Sequence, residues 1–152
     1  MPDDPRDYVL KTPFDTAALP REPDAIAPDG SEIRLLRAPR NGAGSMAHCT
    51  LRPGQVSKAV RHRTVEEVWH FLSGRGELWR ALGDVEEELL VHPGMSVTIP
   101  LGTRFQFRTV GGDALVFVLV TTPPWPGDDE AVHVADHWPP TPPAAGSGRG
   151  GA

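Results

Sequence analysis

Turn chemistry interrupts this chain every eight to twelve residues, and that spacing limits the fold more than any other feature. Pro28-Asp29-Gly30, Asn41-Gly42, Pro53-Gly54, Ser73-Gly74, Gly83-Asp84, Pro93-Gly94, Leu101-Gly102 and Gly111-Gly112-Asp113 each carry glycine, mostly beside a residue that starts or completes a turn. The apolar-rich runs between them, 33–36, 46–51, 56–60, 67–72, 77–82, 87–91, 96–99, 104–110 and 115–121, are too short for stable helices and the right length for strands. Such spacing predicts an all-β sandwich or barrel. With 16 Gly and 17 Pro in 152 residues, an all-helical bundle is disfavoured and one domain is expected. Alternation within the runs, as in Phe105-Gln106-Phe107-Arg108, gives each strand one sheltered face.

The chain ends read differently. Residues 1–30 are rich in Pro and Asp with one apolar patch, Tyr8-Val9-Leu10, and read as an arm. Three adjacent large apolar side chains are costly to leave in water, and sheet edges accept an added strand, so residues 5–12 are expected on a sheet edge of a partner subunit in a homodimer. Residues 31–122 form the barrel, 123–138 an extension over it, and 139–152 a tail too poor in large apolar residues to order. Prolines around Trp125 stiffen the extension, which places that ring either across the barrel mouth or on the outer sheet.

The net charge of -5 has the wrong sign for a phosphate backbone, so no nucleic-acid partner is expected. No apolar run approaches the ~20 residues that span a bilayer, and the opening MPDDPRDYVLK lacks the apolar core of a secretory leader. A single cysteine, Cys49, is consistent with a reducing cytoplasm and reads as a small core side chain.

Residues 54–74, GQVSKAVRHRTVEEVWHFLSG, resemble the first motif of the cupin superfamily, Gly-x5-His-x-His-x4-Glu-x6-Gly, through Gly54, His62, Glu67 and Gly74. After a 19-residue gap, GMSVTIPLGTRFQF resembles the second, Gly-x5-Pro-x-Gly-x2-His, through Gly94, Pro100 and Gly102. The resemblance implies a small single-domain cupin: an antiparallel jelly-roll β-barrel with a pocket at one mouth, often dimeric. It also implies a divalent metal held by three His and one Glu. Here Val60 and Phe105 stand at two of the His positions, leaving His62 and Glu67, and two protein ligands rarely hold a transition metal. No cofactor is therefore expected; a nonstandard metal site would use His62 and Glu67, with His48 as a further donor.

If His62 and Glu67 face inward as the motif implies, strand parity sends Val60, Trp69, Phe71, Phe105 and Phe107 inward too. In that apolar cavity Glu67 must be neutral, paired with a cationic His62, or bonded to buried water. Three functions remain open. One is metal-independent acid/base chemistry on an apolar or aromatic small molecule, an isomerisation, cyclisation, dehydration or decarboxylation with His62 as base and Glu67 as partner or acid. The others are a non-catalytic small-ligand binder and a metal-dependent oxygenase or isomerase. Outside the pocket, His70 is expected between sheets or at an interface, and His92, His133 and His137 at the surface. Arg61 and Arg63 are expected in solvent, Gln106 pointing away from the pocket, and Glu86-Glu87-Glu88 on a charged hairpin edge.

Overall fold

The computed structural model describes residues 13–142. Its eleven strands are β1 (Ala25–Ile26), β2 (Glu32–Leu35), β3 (Ser45–Leu51), β4 (Val60–His62), β5 (Glu66–Ser73), β6 (Arg75–Leu82), β7 (Val85–Val91), β8 (Ser96–Ile99), β9 (Arg104–Val110), β10 (Leu115–Thr122) and β11 (Ala131–His133). All pair antiparallel in two sheets, a six-stranded one in the order β1-β2-β3-β10-β5-β8 and a five-stranded one in the order β11-β4-β9-β6-β7. This is the expected all-β jelly roll.

The turn glycines explain the short strands. All eight turns read from the sequence hold a glycine at positive φ, a conformation that costs other residues more. Gly74 is the tightest case: at φ 79°, a Cβ there would stand 1.9 Å from the Ala114 carbonyl oxygen, so only glycine lets the β5–β6 turn pass under β10.

Alternation then builds the core. Along β5 the pattern Glu67, Trp69, Phe71 is buried while Glu66, Val68 and His70 are exposed. From β9 and β10 come Phe105, Phe107, Leu115, Phe117 and Leu119. Trp69 stacks on Phe117 with centroids 4.3 Å apart and meets Phe105 and Phe107 edge-on at 5.4 and 5.3 Å. Offset and edge contacts of this kind add to area burial and fix the ring orientations.

Three differences from the expected strands have local causes. The run at 56–60 is strand only at its end, because the Ser57 hydroxyl accepts the Phe107 N–H at 3.0 Å and interrupts the ladder; Val56 keeps one isolated bridge to Arg108. β1 and β11 are two and three residues long, too short for alternation to show in sequence. β1 also means that the segment read as an arm joins the six-stranded sheet before residue 30. The proposed docking of residues 5–12, with Tyr8-Val9-Leu10, lies outside the described residues, as does most of the tail.

Residues 134–141 run as a strap over the outer face of the five-stranded sheet. The Val134 N–H donates to the Ala59 carbonyl at 3.0 Å, the Thr141 N–H to the Val56 carbonyl at 3.1 Å, and the Val56 N–H to Thr141 Oγ1 at 2.7 Å. Residues 139–141, expected in the tail, are therefore held. Gln106 points away from the pocket as alternation requires, yet it is fully buried beneath the strap. Its Nε2 donates to the Ser57 and Trp138 carbonyls, both at 2.7 Å, and its Oε1 accepts the His137 and Trp138 N–H groups at 2.8 and 2.9 Å. His137, expected in solvent, lies flat on Trp79 at 4.8 Å, and Arg108 sits over Trp138 at 4.2 Å. β7, carrying Glu86-Glu87-Glu88, is the exposed edge of this sheet. Among the described residues no helix is long and apolar enough to cross a membrane.

Candidate functional site

The two sheets splay at one end around a cavity of about 280 Å³. Val60 and His62 reach it from β4, Glu67 and Trp69 from β5, Phe105 from β9 and Phe117 from β10. Parity explains the company: each residue is two positions from the next on its strand and so shares its face. Parity does not give depth. Phe71 and Phe107, expected as walls, lie on the same faces but deeper in the aromatic core, and they do not line the cavity.

Two segments outside the sheets complete the mouth. Trp125, Gly127 and Asp128 close one side, with the Trp125 N–H donating to Ser45 Oγ at 3.1 Å and its ring edge-on to His62 at 5.0 Å. Trp125 is thus a wall of the cavity and does not pack on the outer sheet. The other side is the turn after β1, where Asp29 accepts the Ser31 N–H at 2.9 Å and the Ser31 hydroxyl at 2.6 Å. Asp29 was hidden in the sequence because Pro28-Asp29-Gly30 reads as a turn, which it also is. Phe117 was legible, since Leu115, Phe117 and Leu119 alternate, but it belongs to no motif.

Burial sets the protonation states. His62 is buried with Nδ1 unpartnered, and loss of hydration drives its pKa down to about 4, against the pull of the nearby Glu130 charge. Glu67 is pushed up to about 8 by burial and by the charges of Asp29 and Glu130, opposed only by the Trp69 Nε1–H it accepts at 2.8 Å. Of the three states left open for Glu67, the neutral acid is the one this environment favours at pH 7; His62 is neutral beside it. Asp29 is raised by burial too, although Ser31 bonds to it. Glu130 is the counter-example: against the burial that would raise it, hydrogen bonds from Thr64 and Val65 at 2.6 to 2.8 Å hold its carboxyl below the usual range. It clamps the β4–β5 turn and thereby the spacing of His62 and Glu67. A ¹⁵N NMR titration is expected to find the His62 ring neutral down to about pH 4; protonation near 6.5 would contradict its burial.

The remaining histidines lie elsewhere. His48 points to the outer face of β3, opposite Ala47 and Cys49, and supplies nothing to the cavity. His70 is exposed and bonded to Ser96 at 2.8 Å, not set between sheets. His92 and His133 are exposed, the latter donating to the Pro28 carbonyl at 3.1 Å. Arg61 and Arg63 are exposed, while Cys49 is a buried free thiol that also lines the cavity.

A family model described as a cupin domain matches residues 47–121, the stretch that supplies most of these walls. The chain belongs to the cupin superfamily. This cupin is 27% identical over 127 residues to an uncharacterized protein of Methanocaldococcus jannaschii, covering 82% of this chain and 94% of the relative. Among solved structures it is similar to an oxalate decarboxylase of Lactobacillus farciminis in complex with formate, with a TM-score of 0.59 and 17% identity over 68% of this chain and 31% of that one. The protein CapF with an inhibitor, 3-isopropenyl-tropolone, gives the same TM-score and identity, over 68% of this chain and 32% of CapF. The cupin domain of Schizosaccharomyces pombe Cnp3 follows at TM-score 0.54 and 10% identity, covering 61% and 64%. The cupin described here thus spans about a third of the first two chains, and at these identities the likeness is one of fold.

The metal implied by the superfamily does not suit this cupin's side chains. Val60 and Phe105, at the two substituted positions, face each other as register partners across β4 and β9, so that part of the site is hydrocarbon. One Glu67 oxygen already accepts the Trp69 indole. Among the described residues no three His, Cys, Asp or Glu side chains gather as a metal site would need.

Proposed function

We propose that this cupin binds a small, largely apolar or aromatic organic molecule inside the barrel and carries out metal-independent proton transfer on it through Glu67 and His62. The observation that carries this reading is a buried carboxyl, Glu67, that lines one apolar cavity with Trp69, Phe105 and Phe117 and with His62, whose Nδ1 is unpartnered; burial favours the uncharged form of both groups. A simple apolar binder has no use for a buried acid that raises the cost of folding. A pKa of about 8 places Glu67 close enough to neutrality to give up and regain a proton. The imidazole, at about 4, is a weak base whose role is to receive a proton only as the substrate becomes acidic in the transition state. Such a pair suits isomerisation, cyclisation, dehydration or decarboxylation. A cytoplasmic location is part of the same reading, with which a lone, buried cysteine is consistent.

Native mass spectrometry of the purified protein tests the binding half. A small-molecule mass is expected on the folded chain, and Ala47→Phe, which fills the cavity from β3, is expected to remove it at a stability cost of about 1–3 kcal/mol. A mass that persists in that variant would place the ligand elsewhere.

Protein purified without a histidine tag is expected to contain well under one equivalent of iron, manganese, nickel or zinc by elemental analysis. A full equivalent that is lost in His62→Ala would overturn the metal-independent reading.

A further inference from the structure

The charge of the cavity wall is one-sided. Asp29, Glu67 and, at the rim, Asp128 are its acidic members, and among the described residues neither Lys nor Arg lines it. The nearby basic residues are turned away, Arg61 and Arg63 to solvent. The remaining wall is aromatic, with Trp69, Phe105, Phe117 and Trp125 around the space the carboxyls face.

We propose, building on the ligand-binding reading above, that the barrel selects a protonated primary amine on an apolar or aromatic body, held by Asp29 and Glu67 and by the faces of the surrounding rings. An anionic ligand would bring its charge into a desolvated site with no cation to receive it, at a cost that apolar contacts of this area do not offset. The same lining offers an ammonium group several acceptors: the two carboxyls, the hydroxyls of Ser31 and Ser45, and the negative faces of aromatic rings. One Glu67 oxygen holds the Trp69 indole; the other carries no hydrogen bond among the described residues and is available to a ligand.

The proposal carries a proton signature. The groups around the site are His62 from β4, Glu67 from β5, Cys49 from β3, Asp29 from the turn after β1, Asp128 and Glu130 before β11 and His133 on it. Of these, Glu67 is the acid held protonated at pH 7 largely by burial and by neighbouring negative charge. A cation placed against it outweighs the neighbouring negative charge and compensates the ionised carboxyl for its lost hydration, so binding expels the Glu67 proton to the buffer.

Isothermal titration calorimetry at pH 7, in two buffers of different ionisation enthalpy, tests this with three probes of one shape: phenethylamine, 2-phenylethanol and phenylacetate. The amine is expected to bind at least ~10-fold tighter than the alcohol, with release of close to one proton, and the carboxylate not to bind. Asp29→Asn keeps the oxygen that accepts from Ser31 and is expected to remove most of the amine's advantage without changing the alcohol. Alcohol binding that equals the amine's and is blocked by Ala47→Phe overturns the charge selection and leaves the apolar-pocket reading standing. Binding of phenylacetate overturns the selection likewise. Failure of all three probes to bind overturns both.

Discussion

Glu67→Gln is expected to abolish the decline of stability that Glu67 imposes at neutral and alkaline pH. In the folded protein Glu67 holds its proton up to about pH 8; unfolded, it releases it near 4.5. Between those values the folded state binds the extra proton, so this group's contribution to stability is present below pH 4.5 and is lost as pH rises to 8. His62 acts in the opposite sense, being neutral in the fold down to about 4 but protonated in the unfolded chain below 6.5, so its contribution is lost as pH falls. The two slopes cancel between pH 4.5 and 6.5. Above 6.5 Glu67 acts alone of the two, and stability is expected to fall by about 2 kcal/mol by pH 8. Gln retains an oxygen for the Trp69 indole and has no proton to lose. The variant should match the parent in acid and exceed it by about 4 kcal/mol at pH 8, as urea denaturation at several pH values would register. It should also lack any turnover while still binding an uncharged ligand. A variant with the parent's alkaline decline would show that Glu67 is ionised in the fold, and the proposed chemistry would go with it.

Gln106→Leu is expected to loosen the strap and, through it, the cavity mouth. The amide makes four hydrogen bonds to backbone groups in a buried seam, two donated and two accepted. Leucine fills a similar volume but leaves two carbonyls and two N–H groups without their partner, at about 1 kcal/mol for each bond lost and more where water cannot enter. A loss of roughly 3–4 kcal/mol follows, which lowers the melting temperature by about 10 °C in a protein of this size. The effect should be local before it is global. Amide exchange is expected to quicken at Val134, His137, Trp138 and Thr141, with the β5–β10 ladder protected as before, and bound ligand should dissociate faster because Trp125 and Asp128 belong to the same stretch of chain. Unchanged protection of the strap would mean that the ring contacts of His137 and Trp138 hold it unaided.

Most of the barrel is legible from residue order because its cause is local. Gly54, Gly74, Gly94 and Gly102 are needed wherever the backbone turns through positive φ, so the motif is visible as spacing, and the strands between are short because the turns are close. Parity likewise put Val60, His62, Glu67, Trp69 and Phe105 on inward faces. It could not separate Phe105, which lines the cavity, from Phe107 two residues on, which fills the core; that difference depends on how far the sheets splay. Gln106 shows the converse. Alternation turned it outward correctly, but outward means solvent only where nothing covers the sheet, and the cover is an irregular Pro-rich segment with no period to read. Asp29 was obscured by a second role, since the same residue serves the turn and the cavity.

The mouth is built from both ends of the described chain. Pro28 and Asp29 come before the barrel strands, Trp125 and Asp128 after them, and the His133 bond to Pro28 joins residues 105 positions apart. During synthesis the first wall therefore waits, unpaired, while every strand from β2 to β10 is made. Enclosure, and with it the raised affinity of Glu67 for its proton, arrives only when the last segment folds across. The property that makes this cavity chemically unusual thus depends on the segment added last, and opening of that segment alone would return Glu67 to water and release its proton.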